Sequence, residues 1–584
     1  MITSMKNKTL SRIKKMVKPY IKTIVFVTFI AIVIDIIALV KPYLVRILID
    51  DFLDKGISRN GIISTSIISY IYIFMVFIEN FLDYFNRSKT NIIGESVVFD
   101  LRNKLYSYME KANIKLHDKV PSGTLFVRII SDTEDVFALF SEVITTFIKD
   151  IFIIVGLLVV MIYISYKLAM VSLIIIPLII ISSLILTKLL NQTYAKVKNI
   201  RTRLNIFFAE SIYGIKLIKI FNRQKEKQKE CEKITSDFRN AIKPIGLLQG
   251  LLPAIMTIIE NLGISIVVWA IINNLIGESL DVGIIYMFIT YLKSLFDPIN
   301  RIIENVEIVE EAVTSIDKIY EILEAEEFVE NFETGKSLEK IKGKIEFRNV
   351  WFAYEKDNWI LKNVSFTIEP GQSVALVGKT GSGKTTITNL INKFYTIQKG
   401  EILIDDININ DINLADLRRN IGTILQDPFI YAKSIKDNIK LFNDINDEKI
   451  ETAVKMASAS DFVNSQEHGI NEIAKERGNS FSAGEKQLIA FARIFALNPS
   501  VFILDEATAN IDTTTEQLIQ ESVDKLSAEK TSIFIAHRLA TIVNVDKIIV
   551  LSNGEIIEEG NHEELVKSGG YYSKLYSAYY NSLV

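Results

Sequence analysis

The stretch Val374-Ala-Leu-Val-Gly-Lys-Thr-Gly-Ser-Gly-Lys-Thr-Thr386 decides which fold this chain can adopt. Its apolar start predicts a strand, its end opens a predicted helix, and Gly-x-x-x-x-Gly-Lys-Thr lies between them. The glycines let the backbone curl so that N–H groups point at phosphate oxygens near a helix N-terminus. Lys384 can reach the β- and γ-phosphates, and the Thr385 hydroxyl can bind Mg²⁺. The predicted phosphate-binding residues are Gly378, Thr380, Gly381, Ser382, Gly383, Lys384, Thr385 and Thr386.

Composition divides the chain into two halves. It has 584 residues, of which 49% are hydrophobic and 23% charged, and its mean hydropathy is +0.26. Long apolar runs fill the first 300 residues, whereas the last 240 are typical of a soluble α/β domain. The net charge of −3 gives no reason to expect a nucleic-acid partner. The single cysteine, Cys231, excludes an internal disulfide and is interpreted as a reduced, cytosolic side chain.

The first half carries six apolar stretches that approach or exceed the roughly 20 residues needed to cross a bilayer. The connections after the second and fourth stretches are long, charged and helical in pattern. We therefore predict an N-terminal all-α polytopic membrane domain of six transmembrane helices over residues 1–325, with two long cytosolic loops, followed by a linker at 326–343. The predicted spans lie near residues 21–40, 62–85, 147–166, 168–190, 253–276 and 284–303.

Lysine and arginine predict the orientation of these spans. The N-terminal segment and residues 191–245 are rich in basic side chains, whereas Asn273 to Gly283 has none. We therefore predict a multi-pass protein of the cytoplasmic membrane. Because the number of spans is even, both termini and both long loops would lie in the cytosol. The first apolar run is too long for a cleavable signal peptide and lacks a small-residue cleavage site.

Several ionisable residues fall within the predicted spans, where charge is costly and often functional. If the acids line a substrate route, a cationic amphiphile would suit that cavity. Alternatively, Lys293, Asp297 and Arg301 have a spacing of four residues and would pair along one helix face. The residues concerned are Asp35, Glu79, Asp83, Glu260, Lys293, Asp297 and Arg301.

The second half begins near Lys344 with an alternating segment that predicts a strand up to Tyr354. Further on, Val501-Phe-Ile-Leu-Asp-Glu506 predicts a buried strand that ends in two acids. The first carboxylate can hold Mg²⁺, and the second can activate a water molecule. This strand follows the phosphate loop by about 120 residues. We predict a C-terminal α/β P-loop nucleotide-binding domain over residues 344–584.

Between these motifs lies Ser480-Phe-Ser-Ala-Gly-Glu-Lys-Gln487, which leads into an amphipathic helix. Taken together, the spans and motifs resemble the ATP-binding cassette (ABC) superfamily, and specifically its exporter half-transporters, over nearly the whole chain. The resemblance implies ATP and Mg²⁺ as cofactors and a second half-transporter as partner. Two loop segments, Gly123 to Val136 and Glu210 to Phe221, look like the segments that dock on the cassettes.

The resemblance also implies roles for single residues. Tyr354 matches the aromatic residue that stacks on adenine, and Gln426 matches the glutamine that senses Mg²⁺. Asp505 matches the acid that supports Mg²⁺, Glu506 the general base, and His537 the switch histidine at the γ-phosphate. The implied Mg²⁺ site therefore comprises Thr385, Gln426 and Asp505.

Three further segments match family features. The loop Ala509 to Asp512 matches one that crosses the dimer interface, and Glu476 matches a cytosolic contact to the membrane domain. Ser482 and Gly484 match donors to the γ-phosphate bound by the opposite subunit.

The signature segment departs from the family pattern. The family has Leu-Ser-Gly-Gly-Gln, and this chain has Phe-Ser-Ala-Gly-Glu over residues 481–485. Ala483 adds a methyl group and Glu485 places a negative charge near a polyanion, so both should weaken the composite ATP site. Complete catalytic residues with an altered signature resemble one half of the heterodimeric multidrug exporters. A homodimer that tolerates the variant is the alternative.

These features predict ATP-driven export of amphipathic or hydrophobic compounds, multidrug or lipid-like, across the cytoplasmic membrane by alternating access. The predicted assembly is a heterodimer with one degenerate ATP site, embedded in the lipid bilayer. The alternatives are a homodimeric lipid or peptide exporter, and a membrane module that ATP gates without pumping.

Overall fold

The computed structural model describes residues 2–55, 59–273, 281–325, 328–330, 332, 334–356, 358–505, 513–528, 530–535 and 542–580. The chain forms two compact units. The first comprises Met1–Glu110 and Pro121–Glu326, and the second comprises Lys111–Val120 and Glu327–Val584.

The first unit is entirely helical in the part of the chain that the structure describes. Helices suit its apolar runs because a helix satisfies its own backbone hydrogen bonds, which hydrocarbon cannot do. In order, its helices are α1 (Ile2–Val17), α2 (Ile21–Lys55) and α3 (Arg59–Lys111), then, after α4 in the second unit, α5 (Ser122–Ala138), α6 (Ile144–Ile164), α7 (Tyr166–Leu173), α8 (Ile175–Tyr213), α9 (Ile215–Ile220), α10 (Gln224–Ile272), α11 (Val282–Ser294) and α12 (Phe296–Leu323).

Six helical stretches among the described residues are long and apolar enough to cross a membrane, as predicted. Each is much longer than its predicted span because the charged loops continue the same helices. They are Lys8–Asp50, Thr65–Lys111, Ser122–Ile164, Tyr166–Tyr213, Gln224–Ile272 and Val282–Leu323.

Charged residues of the spans pair between helices. Arg301 on α12 donates to both carboxylate oxygens of Asp150 on α6, with a shortest distance of 2.6 Å. Lys293 lies 3.7 Å from Glu260 on α10. The predicted pairing of Lys293, Asp297 and Arg301 along one helix face therefore holds only in part. Arg301 also interacts electrostatically with Asp297, but both cations form ion pairs with acids of neighbouring helices.

A short helix from the first long loop belongs to the second unit. Helix α4 (Ile114–Lys119) is capped by Asn113, and the Tyr395 hydroxyl donates a hydrogen bond to Asp118. Burial, and then this carboxylate, raise the pKa of Tyr395. The segment Gly123 to Val136 lies in α5 of the first unit, and its predicted docking on a cassette stays a prediction.

The described strands of the second unit form two sheets. A six-stranded sheet has the order β10-β9-β3-β8-β7-β6, parallel except for β10, and an antiparallel sheet has the order β2-β1-β4-β5. The strands are β1 (Ile345–Ala353), β2 (Trp359–Ile368), β3 (Ser373–Val377), β4 (Lys399–Ile404), β5 (Ile407–Asn408), β6 (Ile421–Ile424), β7 (Val501–Asp505), β8 (Thr531–Ile535), β9 (Lys547–Ser552) and β10 (Glu555–Gly560).

Helices cover the six-stranded sheet. Successive residues of each strand pack into two different hydrophobic cores. Ile503 and Ile533 pack in one core, and Phe502 and Phe534 pack in the other. The helices are α13 (Lys384–Ile391), α14 (Leu414–Asn420), α15 (Ile435–Lys440), α16 (Asp447–Met456), α17 (Ser460–Ser465), α18 (Ala483–Leu497), α19 (Thr513–Ser527), α20 (His562–Lys567) and α21 (Tyr571–Tyr580).

The segment predicted as a linker is anchored on the second unit. Asp416 accepts hydrogen bonds from the Ser337 hydroxyl at 2.6 Å and the Leu338 N–H at 3.1 Å. The Ser337 bond is the main reason why the pKa of Asp416 is lowered. Asp405 accepts from the backbone N–H groups of residues 342–344.

Candidate ATP site

The site is organised by the topology of the six-stranded sheet. Strands β3, β8, β7 and β6 are neighbours and parallel, so their carboxyl ends meet at one edge. The phosphate loop follows β3, Asp505 ends β7, and Gln426 lies two residues beyond β6. Ligands of open parallel sheets bind at this edge. The fold therefore brings to one edge of the sheet motifs that are up to more than a hundred residues apart in the sequence.

Backbone conformation forms the phosphate loop. Gly381 and Gly383 have φ values of +83° and +105°, which side chains rarely tolerate. A Cβ at Gly383 would also lie 2.6 Å from Leu361 Cδ2. Lys384, at the start of α13, donates to the carbonyl oxygens of Gly378 at 2.7 Å and Lys379 at 3.1 Å. Its ammonium group is thereby held over the loop.

The loop fits a polyphosphate. The Ser382 side chain is only 4% exposed, and its Oγ has no hydrogen-bond partner among the described residues. An unpaired buried hydroxyl is costly unless a ligand satisfies it. Together with the Lys384 ammonium and the N-terminus of α13, this hydroxyl suits an anionic oxygen.

Tyr354 lies beside this loop, as an adenine-stacking residue would. Its hydroxyl lies 3.3 Å from Thr386 Oγ1 and 3.4 Å from Asn389 Nδ2, both on α13. The ring is 42% exposed and makes edge contacts with Phe352 and Tyr395, with both centroids at 4.9 Å. The ring is thus partly open to solvent, and its stacking on adenine stays a prediction.

Gln426 is exposed, and a second glutamine positions its backbone. Gln487 is 2% exposed on α18, and its Nε2 donates to the carbonyl oxygens of Gln426 at 2.9 Å and Leu425 at 3.4 Å. These hydrogen bonds connect α18, the helix that begins at the signature segment, to the loop that carries Gln426. Sequence analysis missed this role, although a glutamine on the buried face of an apolar helix was a usable signal.

Several predicted residues lie outside the described part of the chain. They are Glu506, which follows β7, His537, which follows β8, and the loop from Ala509 to Asp512. Asp505 is described and half-buried at the end of β7. The roles given to Glu506, His537 and Asp512 stay predictions.

The signature segment forms the N-terminus of α18. Ser482 is exposed, and its Oγ accepts from the Glu485 N–H at 3.2 Å. The Glu485 carboxylate in return accepts from the Ser482 N–H at 2.7 Å. This reciprocal pair is a capping box. Gly484 is buried within α18, and Phe481 packs against Phe462 with ring centroids 5.5 Å apart.

Two other predicted surface segments are exposed. Glu476 lies in a short 3-10 turn, Glu476–Gly478, and faces solvent. In the second long loop, Tyr213 is 91% exposed and Ile220 77% exposed. Both segments are open to a docking partner, and their predicted contacts stay predictions.

Known protein families and relatives match almost the entire chain. Residues 24–299 match the ABC transporter transmembrane region and residues 361–509 match the ABC transporter family. An ATP-dependent lipid A-core flippase of Syntrophus aciditrophicus is 31% identical over 537 residues, which cover 91% of this chain and 88% of that protein. The multidrug resistance-like ATP-binding protein MdlB of Buchnera aphidicola is 34% identical over 541 residues, covering 91% and 92%.

A solved structure shares the fold. The structure of a bacterial Atm1-family ABC exporter with ATP bound aligns with a TM-score of 0.78 at 22% identity. The alignment covers 96% of this chain and 98% of that chain.

Proposed function

Because the chain belongs to the ABC transporter family and joins a transmembrane region to an ATP-binding cassette, we propose that it drives export of amphipathic or hydrophobic compounds by alternating access. The observation that carries this proposal is the phosphate loop, with its buried Ser382 hydroxyl, in the same polypeptide as six helices able to span a membrane. Relatives named as a flippase and a multidrug resistance-like protein support export as the direction of transport.

Different residues of the cassette have different roles in ATP binding and hydrolysis. Lys384, Ser382 and the loop N–H groups bind the phosphates, and Tyr354 stacks on the base. Asp505 ends strand β7, and the neighbouring strand β6 leads to Gln426, so these two residues and Thr385 would hold Mg²⁺. A Mg²⁺ ion held by these residues would neutralise negative charge on the phosphates.

Glu506 takes the proton of the attacking water as general base, and His537 contacts the γ-phosphate. Both roles rest on the family resemblance. Hydrolysis then resets the transporter after the two cassettes have closed on ATP.

The partner is a second half-transporter, and the altered signature favours a different chain over a second copy. In the capping box, the Glu485 carboxylate is fixed at the N-terminus of α18, and Glu485 directly follows the donor Gly484. In the closed pair it would face the γ-phosphate held by the opposite cassette, and like charges repel. We therefore assign the partner a complete Leu-Ser-Gly-Gly-Gln signature and a substituted catalytic glutamate.

Native mass spectrometry tests this assembly. The complex is purified from its own membranes through a tag on this chain. A mass equal to this chain plus one different half-transporter supports the asymmetric dimer. Two copies of this chain would contradict it and would mean that residues 481–485 serve both ATP sites.

Uptake into inverted membrane vesicles tests export against ATP gating. We expect ATP to drive accumulation of an amphipathic dye against its gradient, and Lys384→Ala to abolish accumulation. Equilibration of the dye without accumulation would indicate a gated module instead. In this orientation the cassette and both termini, which we place in the cytosol, face the added ATP.

A further inference from the structure

The strand that leads to Tyr354 is held at its end by a glutamine side chain. Strand β1 extends beyond its neighbour β4, since the last pair between them joins Trp351 to Lys399 and β1 continues to Ala353. Gln398 directly precedes β4. Its Oε1 accepts from the Ala353 N–H at 3.0 Å, and its Nε2 donates to the Ala353 carbonyl oxygen at 2.9 Å. The side chain thus takes the place of a strand neighbour at the end of β1.

The contact uses both ends of the Gln398 amide. A carboxamide has one acceptor end and one donor end, and only one orientation of it satisfies the Ala353 N–H and carbonyl together. The backbone N–H of Gln398 also donates to the Trp351 carbonyl oxygen at 3.2 Å. Ala353 is only 6% exposed, so its backbone groups would be costly to leave without partners. Gln398 is exposed, yet its amide has a defined function in the fold.

Lys399 holds the backbone of Gln398 in place. Its ammonium group lies over the rings of Trp351 and Trp359, 5.4 and 5.3 Å from their centroids. The two indole rings make an edge contact with each other, with centroids 5.4 Å apart. Because Trp351 belongs to β1 and Trp359 to β2, this cluster connects the start of β4 to both strands. The amide of Gln398 is therefore presented to the end of β1.

Tyr354 depends on this anchor because it lies just beyond the strand. It directly follows Ala353 and belongs to the loop between β1 and β2. The contacts of its hydroxyl with Thr386 and Asn389 are long, at 3.3 and 3.4 Å, and hold the ring only weakly. Fixing the backbone of Ala353 therefore restricts where the Tyr354 ring can lie.

We infer that Gln398 is a positioning residue for the base of ATP, which acts through Ala353 to hold Tyr354 beside the phosphate loop. This inference rests on the proposed stacking of Tyr354 on adenine. A ring that the protein has already ordered favours binding, because less conformational freedom is lost when the base docks. Gln398 should therefore strengthen the binding of ligands that carry a base and leave the binding of phosphates alone unchanged.

Competition between ATP and tripolyphosphate tests this assignment. The chain is photolabelled with 8-azido-ATP in the full complex, without Mg²⁺ so that no turnover occurs, and is then recovered through a tag under denaturing conditions. Both competitors displace the same probe, so the ratio of their Kd values does not depend on the probe. We expect Gln398→Ala to raise the Kd for ATP about threefold, because part of the net free energy of two hydrogen bonds is lost. The Kd for tripolyphosphate should not change.

Two further variants control this measurement. Gln398→Met keeps the length of the side chain and removes the amide, so it should match Gln398→Ala. Gln372→Ala removes another glutamine that binds backbone, since Gln372 Oε1 accepts from the Glu369 N–H at 3.1 Å. This residue precedes β3, at the end of the strand opposite the phosphate loop, and its loss should leave both Kd values unchanged. An equal rise of the Kd for ATP in Gln372→Ala and Gln398→Ala would overturn the assignment.

A double-mutant cycle with Tyr354→Ala shows whether Gln398 acts through the tyrosine ring. In the Tyr354→Ala background, Gln398→Ala should cause no further loss of ATP affinity. A further threefold loss in that background would overturn the inference, and so would equal weakening of ATP and tripolyphosphate in Gln398→Ala alone.

The same measurements separate this inference from the proposal on which it rests. If Tyr354→Ala leaves the ratio of the two Kd values unchanged, the stacking role of Tyr354 fails, and the positioning role fails with it. If Tyr354→Ala weakens the binding of ATP alone while Gln398→Ala and Gln398→Met do not, only the positioning role of Gln398 fails. Export itself is tested by vesicle uptake, independently of both results.

Discussion

At the residue scale, Glu485 has a structural role that the sequence alone did not indicate. Its carboxylate accepts the Ser482 N–H and completes the capping box of α18. Acidic groups are favourable at helix N-termini, so glutamate in place of the family's glutamine at position 485 should not lower the stability of the isolated cassette. We expect a penalty from this carboxylate only where a second subunit brings a γ-phosphate to the same helix end.

Two substitutions at Glu485 separate these effects. Glu485→Gln keeps an acceptor for the Ser482 N–H and removes the charge, so it should preserve thermal stability and tighten ATP binding at the composite site. Glu485→Ala removes the cap and should cost about 1 kcal/mol. Thermal unfolding and ATP titrations of the complex check both results. Unchanged ATP affinity in Glu485→Gln would show that the charge does not reach the nucleotide.

Ser382 provides a test in which stability and binding move in opposite directions. Its Oγ is buried without a described partner, so Ser382→Ala removes an unsatisfied group and should leave the Tm unchanged or higher. The same change removes a phosphate donor and should raise the Kd for ATP about fivefold or more, as loss of a hydrogen bond to a charged group does. A lower Tm with unaltered Kd would mean that the hydroxyl serves the fold.

Sequence reasoning located the residues that belong to continuous motifs. Gly381, Gly383 and Lys384 follow from a pattern whose spacing is itself the geometry of the loop. Asp150 was missed, although it stands within the predicted span 147–166. Its partner Arg301 is 151 positions away, and only the packing of α6 on α12 brings the two together.

At the element scale, the N-terminal helix clamps the end of α12. Arg12 on α1 is 9% exposed and donates to both oxygens of Glu324, at 3.1 and 2.8 Å, and to Asp317 at 2.6 Å. Its guanidinium also lies over the Tyr320 ring at 4.9 Å. Helix α1 is therefore held by charge as well as by packing.

Arg12→Ala should lower the stability of the complex by about 1–2 kcal/mol, because the carboxylates it pairs with are partly exposed. Lys14→Ala on the exposed side of α1 is the control. The hydrogen bond from Arg12 lowers the pKa of Glu324 from 4.5 to about 2. The stabilisation is therefore complete above pH 4.5 and is lost as the pH falls toward 2.

Thermal unfolding against pH checks the clamp. The Tm of Arg12→Ala should lie below that of the unmodified complex at neutral pH, and the difference should shrink as acid protonates Glu324. If the Tm difference between Arg12→Ala and the unmodified complex is the same at pH 7 and pH 3, the loss of stability is due to packing rather than to the ion pair.

Helix α4 offers a test of coupling. It packs in the second unit through the Tyr395–Asp118 hydrogen bond, while the helices that precede and follow it in sequence belong to the first unit. Tyr395→Phe removes a hydrogen bond to a carboxylate, worth about 1.5–3 kcal/mol. We expect ATP hydrolysis to persist and the amount transported per ATP to fall.

Parallel measurements of ATPase and vesicle uptake check this prediction. Tyr431→Phe is the matched control, since the hydrogen bonds of Tyr431 among the described residues involve its backbone and not its hydroxyl. Loss of both activities in Tyr395→Phe would show that the tyrosine supports the nucleotide site itself.

The elements themselves were largely predictable, and their exact packing was not. Long apolar runs predicted the six membrane helices, which the structure confirms. The pattern could not show that α4 packs with the cassette, because this packing depends on the cassette surface, which includes Tyr395.

At the scale of the whole molecule, one chain contains a candidate site for ATP and, in its first unit, a separate cavity lined mainly by polar side chains. The ATP site lies at the carboxyl edge of a parallel sheet. The cavity lies where α3, α6 and α12 meet. An exporter requires that ATP hydrolysis in the cassette be tied to transport through the membrane domain.

Simultaneous measurement of ATP hydrolysis and amphiphile uptake in proteoliposomes, for the unmodified complex and for Glu506→Gln, tests this link most directly. The variant should still bind ATP, because Lys384 and Ser382 are intact, but hydrolysis and uptake should both be nearly abolished. Uptake at the full rate without hydrolysis, or hydrolysis at the full rate in Glu506→Gln, would contradict the account.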